Sequence, residues 1–234
     1  MISGIIPRPI GFVSTVSADG KSTNLAPFSY TQMVNHDPPV IVIGFSGGSA
    51  QPKNTLKNIL ETKECTVNMI NEHMVEYNHL FKSLADNRAA NFCSIDAPHG
   101  VSEWALSGLT PLPSRKVKPS RVGESMFTIE CKLMNHQEFH NSYGENTGAM
   151  VVLEGVWFHV REDAFTNEDQ NVLREEVLKP ISRLGGITYG RVIHGFEIPR
   201  PMYKQYPIPC IFYLTSSLTD EDQQQHVKPK VNGQ

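Results

Sequence analysis

The chain has 234 residues, a net charge of −3 and 39% hydrophobic residues. This length and composition predict one large globular domain with a proper core. A protein that binds nucleic acid usually has an excess of basic residues, and this chain has none, so no nucleic-acid partner is expected. A membrane span needs ~20 consecutive apolar residues, and the sequence contains no such run, so no membrane is expected as a partner. The N-terminal stretch also lacks the pattern of a signal peptide, which predicts a cytoplasmic protein.

The first half of the chain predicts short strands joined by tight turns. Residues 10–34 (IGFVSTVSADGKSTNLAPFSYTQMV) are typical of two strands around an Asp-Gly turn. Pro27 cannot donate to a ladder, so the second of these strands is expected at an edge or bulge. The run VIVIGF at 40–45 is apolar without alternation, which indicates a strand buried on both faces.

A short amphipathic helix is predicted next, because Leu56, Ile59 and Leu60 follow helical spacing. CTVNMI at 65–70 predicts another strand, and residues 72–84 (EHMVEYNHLFKSL) predict a second helix. From residue 85 to about 123 an irregular stretch is expected, since the prolines there forbid a continuous element. The prolines are Pro111, Pro113 and Pro119.

In the second half, strands are expected at 125–140 and 148–162, followed by a helix over 166–185. Thr166 or Asn167 is the expected N-cap of that helix, and Pro180 is expected to break or kink it. Many short strands with few short helices predict a mainly β fold, a small antiparallel barrel with helices as decoration. We assign residues 1–215 to this domain, with an extension from about 195, and expect the polar tail 216–234 to be disordered.

Three stretches contain candidate functional residues. SGGSAQPK at 46–53 runs into a predicted helix, and Lys53, Asn54 and Thr55 stand at its start, which suits a phosphate. An ordinary polar turn with an N-cap at Asn54 or Thr55 explains the same residues. STNLAPFSY at 22–30 has small side chains that let a planar ring approach the backbone, but an irregular edge strand has the same pattern.

The third stretch is ISRLGGITYG at 181–190, where a glycine pair is expected to end a helix and to present Tyr189 from a fixed position. A helix stop with a tyrosine that only packs is the alternative. Metal chemistry has little support, since His136 and His140 would lie roughly 13 Å apart on a strand. The four cysteines form no CxxC pair and are predicted to be free thiols. They are Cys65, Cys93, Cys131 and Cys210.

The ordered series of motifs resembles the flavin reductase-like family, whose members have an FMN-binding split barrel. The motifs are PRPIGFVST, the Asp-Gly turn, NLAPFSY, DPPVIVIGF, PKNTLKNI, CTVNMI, GLTPLPSRKVKPSRV, TIECKL and RLGGITYG, and they span residues 4 to 195. The form PRPIxxVST…APFS is similar to one subgroup of this family. The resemblance implies a homodimer with FMN bound at the interface between two chains.

The resemblance also implies residue roles. Lys53 and Thr55 would hold the FMN phosphate, with Asn54 where the family often has aspartate. The ring and ribityl chain would lie against residues of the first two strands, and Arg183 and Tyr189 would be near the open face of the flavin as candidates on the nicotinamide side. The implied cofactor-binding set is Ser14, Thr15, Asn24, Ala26, Pro27, Phe28, Ser29, Lys53, Asn54 and Thr55.

The activity implied is hydride transfer from NAD(P)H to bound flavin and on to an unidentified acceptor, with no side-chain acid or base required. Three other functions remain open at this point: an FMN-binding protein without fast turnover, a flavin-dependent oxygenase acting on a small organic substrate, and a binder of heme or F420 on the same barrel.

Overall fold

Seven antiparallel strands form the main sheet of the molecule, in the order β3-β2-β6-β9-β10-β5-β4. The computed structural model describes residues 1–47, 53–76, 102–166 and 172–200. The strands are β1 Arg8–Pro9, β2 Gly11–Val16, β3 Thr23–Phe28, β4 Thr31–His36, β5 Pro39–Ser46, β6 Glu64–Met69, β7 Pro111–Leu112, β8 Arg121–Val122, β9 Phe127–His140, β10 Asn146–Val160, β11 Ile181–Gly185 and β12 Thr188–Arg191. The helices are α1 Asn54–Thr62, α2 Glu72–Glu76, α3 Glu103–Ser107 and α4 Glu175–Leu178, with a 3₁₀ turn at Glu162–Ala164.

The sheet is curled because its two edge strands, β3 and β4, are joined by only Ser29 and Tyr30. Such a short link brings the two edges together, which produces a barrel that is split between them. Gly44 on β5 donates its N–H to the carbonyl of Tyr30 at 2.8 Å, which continues the β4–β5 ladder into this link. A Cβ at Gly44 would lie 3.0 Å from the Tyr30 Cβ, so the close approach favours glycine there.

Two hydrophobic clusters hold the fold together. The barrel core draws on α1 and on strands from across the sheet, and it contains Val13, Phe28, Ile41, Ile43, Phe45, Leu56, Ile59, Cys65, Val67, Cys131, Ala149, Val151 and Leu153. The second core covers the other side of β2 and β3, and it contains Ile10, Phe12, Leu25, Ile70, Met74, Trp104, Leu109, Val122 and Ile181. Strand β2 therefore separates the two cores, since alternate side chains of a strand point to opposite faces.

Two amide–hydroxyl pairs fix α1 on the barrel. Asn24 Nδ2 donates to Thr55 Oγ1 at 2.7 Å, and Asn58 Nδ2 donates to Thr15 Oγ1 at 3.0 Å. All four residues are buried, at 8% exposure or less. Because an unpaired buried amide is costly, the pairs fix the position of the helix start as well as stabilise it.

A buried carboxylate holds the segment between β7 and β8 on the outer face of β6 and β9. Glu130 is 0% exposed, and its Oε1 accepts bonds from the Arg115 N–H at 2.7 Å and from His159 Nε2 at 2.6 Å. Its Oε2 accepts bonds from the N–H groups of Lys116 and Val117 at 2.5 and 3.1 Å. Burial by itself raises the pKa of Glu130, but the bonds from His159 and the backbone outweigh it, and the net pKa is lowered.

The strand predictions are confirmed by β2 and β3 around the Asp-Gly turn, by β5, β6, β9 and β10, and by β3 as an edge strand. The helix predicted for 51–64 is confirmed by α1. The helix predicted for 72–84 begins at Glu72, and its part beyond Glu76 lies outside the described residues. The stretch expected to be irregular contains α3 and the β7–β8 pair within its described part.

The helix predicted over 166–185 is wrong. Leu173 forms a β-bridge with Phe165, the helix α4 has only four residues, and the chain then enters β11. The prediction that Gly185 and Gly186 end a helix is wrong for the same reason, because Gly185 is the last residue of β11 and Gly186 begins the turn of the β11–β12 hairpin, with φ values of 134° and 51°. Pro180 does end the helical run, since α4 stops at Leu178 and Lys179 adopts a left-handed conformation.

Residues Met1–Gly195 form one compact unit. Beyond it, residues 196–200 are exposed and have no regular secondary structure. The predicted tail from residue 216, together with Cys93, Cys210 and Asn167, lies outside the described residues. In the described part of the chain, Cys65 and Cys131 are free, buried and directly opposite on β6 and β9, as the free-thiol prediction requires.

The hydrogen bond with Cys65, together with burial, raises the pKa of the Cys131 thiol well above its ordinary value. The Cys131 thiol is therefore not activated as a nucleophile. Within the described ranges, no helix has the length and apolar character needed to cross a membrane, and no group of His, Cys, Asp and Glu side chains is arranged to hold a metal.

Candidate functional site

A cavity of about 350 Å³ opens at the split between β3 and β4. We call it the polar cavity. Its walls come from the β3–β4 link, from β5, from the residue preceding α1, and from the small sheet formed by β1, β11 and β12. The lining residues are Ile2, Arg8, Pro27, Phe28, Ser29, Tyr30, Gly44, Ser46, Lys53, Arg183 and Gly186. Five of the residues predicted from sequence are thus in one place: Pro27, Phe28, Ser29, Lys53 and Arg183.

One end of the polar cavity is the start of α1. Lys53 is the N-cap residue and is exposed, its side chain makes no capping hydrogen bond, and the first turn of the helix contains no acidic residue. The ammonium of Lys53 lies 5.7 Å from the centroid of the Phe28 ring. The N–H groups of the first turn, the helix dipole and a lysine are features that suit an anion, as the sequence predicts for this end of the cavity.

The other residues predicted at the helix start lie differently. Asn54 is exposed as the first residue of α1, whereas Thr55 is 2% exposed and accepts the bond from Asn24. Neither Thr55 nor Asn24 is among the lining residues of the polar cavity. The Thr55 hydroxyl keeps its own hydrogen as a donor, because its oxygen is the acceptor in this pair.

The predicted residues of β2 lie behind the cavity wall. Thr15 faces α1 and pairs with Asn58. Ser14 is on the opposite face, is 1% exposed, and its buried Oγ has no hydrogen-bond partner among the described residues. Ala26 on β3 is half-buried and packs against the barrel core. The structure therefore separates the sequence-predicted set into residues that line the cavity and residues that do not.

Arg183 and Tyr189 are directly opposite each other on the β11–β12 hairpin. The guanidinium carbon of Arg183 lies 4.4 Å from the centroid of the Tyr189 ring, and Arg183 also donates to the carbonyl of Gly186. Tyr189 is half-buried and packs against the second core, while Arg183 lines the polar cavity. The tyrosine therefore supports the arginine from behind.

Arg8, Tyr30 and Gly44 line the polar cavity but were not predicted from sequence as site residues. Arg8 belongs to the quoted motif PRPIGFVST, and Tyr30 and Gly44 belong to NLAPFSY and DPPVIVIGF. The motifs that contain these residues can be recognised in the sequence. That the residues lie close together cannot, because this depends on closure of the barrel and on the pairing of β1 with β11.

A larger cavity of about 520 Å³ lies elsewhere on the molecule and shares none of the residues that line the polar cavity. Its wall is predominantly apolar, with Met33, Val40, Ile41, Met126 and Phe158 among its side chains. Size alone would favour it as a ligand site, but it lacks the convergent polar groups that orient a small molecule. We therefore take the smaller, polar cavity as the candidate functional site.

The family of the split barrel is shown by comparison with known proteins. Residues 3–173 match the family model described as flavin reductase like domain. The chain belongs to this family, which confirms the family and the split-barrel fold that the motifs indicate.

Relatives and solved structures agree with this assignment. A protein of Aquifex aeolicus is 38% identical over 189 residues, covering 79% of this chain and 84% of the relative, and YwrF of Bacillus subtilis is 33% identical over 203 residues, covering 86% and 92%. Nitrilotriacetate monooxygenase component B from Bacillus cereus is 29% identical with a TM-score of 0.73, covering 84% of this chain and 90% of that one. The 2-nitrobenzoate 2-nitroreductase NbaA of Pseudomonas fluorescens is 27% identical with a TM-score of 0.69, covering 86% and 89%.

Proposed function

We propose that this protein is an FMN-dependent oxidoreductase that takes hydride from NAD(P)H and passes electrons to a further acceptor. The observation that carries the proposal is the polar cavity, where Lys53 and the start of α1 meet the ring-sized wall formed by Phe28 and Ser29. Its volume of about 350 Å³ is within the range of small-molecule sites. When bound, FMN supplies the electron chemistry, and the protein holds and orients it.

The residues present fit FMN at both ends of the cavity. Lys53 and the N–H groups of the first turn of α1 would hold the phosphate, with no carboxylate in that turn to repel it. Pro27, Phe28 and Ser29 would lie along the flavin ring, at the point where an edge strand leaves the barrel. The close backbone approach at Gly44 keeps this wall free of a further side chain.

The protein's own side chains would act by binding and positioning. Hydride transfer requires the donor carbon to lie within roughly 3–3.5 Å of the acceptor atom, so the walls of the cavity have to fix two flat rings against each other. Similarity to a monooxygenase component B and to a nitroreductase, each 27% identical or more, supports a redox role. We place this activity in the cytoplasm, where NAD(P)H is available and where free cysteines such as Cys65 and Cys131 are usual.

We also propose that the working form is a homodimer. Several large apolar side chains of β4, β9 and β10 are exposed, which supports a surface used for association. They are Met33 at 66%, Val34 at 55%, Met134 at 51%, Phe139 at 46% and Phe158 at 44%. Two of these side chains, Met33 and Phe158, also line the apolar cavity of about 520 Å³.

The test compares FMN with riboflavin, which lacks the phosphate. Lys53→Ala should lower FMN affinity about tenfold to a hundredfold, the cost of one charge-assisted hydrogen bond, and should leave riboflavin affinity unchanged. Fluorescence titration of the apoprotein measures both. Lys57→Ala is the matched control, because Lys57 is an exposed lysine of the same helix that does not line the cavity.

Two results would contradict the proposal. Equal losses of FMN and riboflavin affinity in Lys53→Ala would remove the phosphate assignment. An FMN-loaded protein that oxidises neither NADH nor NADPH, with free flavins, quinones or oxygen as acceptors, would leave binding without turnover as the function.

A further inference from the structure

Two arginines face each other in the wall of the polar cavity. Strand β1 pairs with β11 so that Arg8 and Arg183 are directly opposite, and both side chains line the cavity. Like charges at directly opposite positions of antiparallel strands are destabilising. Such a pair is therefore expected where an anion compensates the repulsion.

Within the described residues, no carboxylate compensates this charge. Arg8 Nη1 donates to the backbone carbonyls of Ile2 and Ile5, the latter at 2.9 Å, and Arg183 donates to the carbonyl of Gly186. Arg8 is only 9% exposed, and its buried Nε has no hydrogen-bond partner in the part of the chain that the structure describes. A buried guanidinium N–H without an acceptor carries a desolvation cost, which an anionic ligand at this wall would offset.

FMN accounts for only one of the two cationic centres in the cavity. The cofactor has a single phosphate, and Lys53 with the start of α1 already suits it. The arginine pair comes from a different element, the small sheet of β1, β11 and β12. An anion held there is therefore expected to belong to another molecule.

We propose that Arg8 and Arg183 bind the carboxylate or phosphate group of the second ligand, the molecule that exchanges electrons with the flavin. The proposal rests on the proposed function and specifies its substrate class as anionic. Guanidinium groups suit this role, because their planar N–H donors match carboxylate and phosphate oxygens in pairs.

The two side chains are held in position before a ligand arrives. Arg183 lies on the Tyr189 ring, whose other contacts are with the second core, and Arg8 is fixed by two backbone carbonyls. The guanidinium carbon of Arg8 is also 6.0 Å from the centroid of the Tyr30 ring, which lines the same cavity. Held donors of this kind lose little conformational freedom on binding, which favours affinity for small anions.

The experiment uses the FMN-loaded protein and three probes: benzoate, its neutral analogue benzamide, and inorganic phosphate. Binding is measured by calorimetry and by the change in flavin absorbance. Benzoate should bind at least tenfold more tightly than benzamide. Arg183→Gln should lower benzoate affinity about tenfold to a hundredfold, with benzamide unchanged and FMN retained.

Arg191→Gln is the matched control. Arg191 is on the same hairpin, pairs with Glu72 and does not line the cavity, so this variant should bind benzoate like the wild type. Arg8→Gln should resemble Arg183→Gln, but its contacts with Ile2 and Ile5 also order the N-terminal segment, so Arg183→Gln is the deciding variant. Tighter binding of phosphate than of benzoate would indicate a phosphorylated ligand, and the reverse order would indicate an organic acid.

Equal affinity for benzoate and benzamide would overturn the proposal, as would a benzoate preference that survives in Arg183→Gln. Loss of FMN affinity in Arg183→Gln without any change in benzoate binding would show that the pair serves the cofactor instead, which also overturns it. The two proposals fail separately. An apoprotein that binds no FMN but prefers benzoate through Arg183 would overturn the FMN assignment and support the arginine site.

Discussion

Replacement of Glu130 by glutamine should destabilise the protein by about 2–4 kcal/mol. Each carboxylate oxygen accepts two hydrogen bonds, and the side chain is 0% exposed. The amide of glutamine keeps only one oxygen, so two of the four donors lose their acceptor in either orientation of the amide. The contact with His159 is kept in the unfavourable orientation only if its ring nitrogen accepts a hydrogen bond from the glutamine amide. Two unpaired donors at roughly 1–2 kcal/mol each, the lower part of the usual cost of a buried unpaired donor, give about 2–4 kcal/mol.

Thermal unfolding followed by circular dichroism measures this loss. At about 2–4 °C per kcal/mol for a domain of this size, the melting temperature at pH 7 should fall by roughly 4–16 °C. The control is Glu64→Gln, since Glu64 accepts one bond, from the Lys118 N–H at 3.0 Å near the surface. Equal melting temperatures for the two variants would refute the reasoning.

Acidification gives a second readout of the same carboxylate. The folded-state pKa of Glu130 lies below its ordinary value of 4.5, so the ionised group contributes stability above that pH. The contribution is lost as the pH falls through the folded-state pKa. The difference between wild type and Glu130→Gln should therefore be constant at neutral pH and shrink below about pH 4.5, and a difference independent of pH would contradict the charged state assigned to Glu130.

Three further predictions concern the site and its supports. Thr55→Val should cost about 1–2 kcal/mol in urea unfolding, because the buried Asn24 amide loses its acceptor, and an unchanged midpoint would contradict this. Tyr189→Ala should raise the activation free energy of flavin reduction by NAD(P)H by about 1–2 kcal/mol, with FMN affinity retained, because the ring supports Arg183. Tyr189→Phe keeps the ring and should retain the rate, and stopped-flow reduction measures both variants. Light scattering should give about twice the mass of one chain, and a stable FMN-loaded monomer would refute the dimer.

The parts of the fold that could be predicted are those with local signals. The Asp-Gly turn, the non-alternating run of β5 and the helical spacing of Leu56 and Ile59 each specify one element without reference to distant residues. The helix predicted over 166–185 failed because its residues have no strong helical period and because β11 obtains its hydrogen bonds from β1 and β12, which no local pattern reveals.

The candidate site shows the same division. Lys53 and Phe28 could be identified from motifs, since each lies within a short stretch of characteristic composition. The cofactor role of Thr55 and Asn24 stays a prediction, and their mutual hydrogen bond was not predicted, because a motif gives residue types but not the direction of side chains. Arg8 required the topology, since its partner is Arg183 at the other end of the domain.

The pairing of β1 with β11 also determines when the cavity can form during synthesis. About 175 positions separate Arg8 from Arg183, and at roughly 5–20 residues per second the ribosome takes about 10–35 seconds to produce the second strand after the first. Until then the N-terminal segment has no partner, and one wall of the cavity is missing. The cofactor is therefore expected to bind only after β11 has been synthesised. A product truncated before β11 would keep most of the barrel strands but would lack one wall of the cavity.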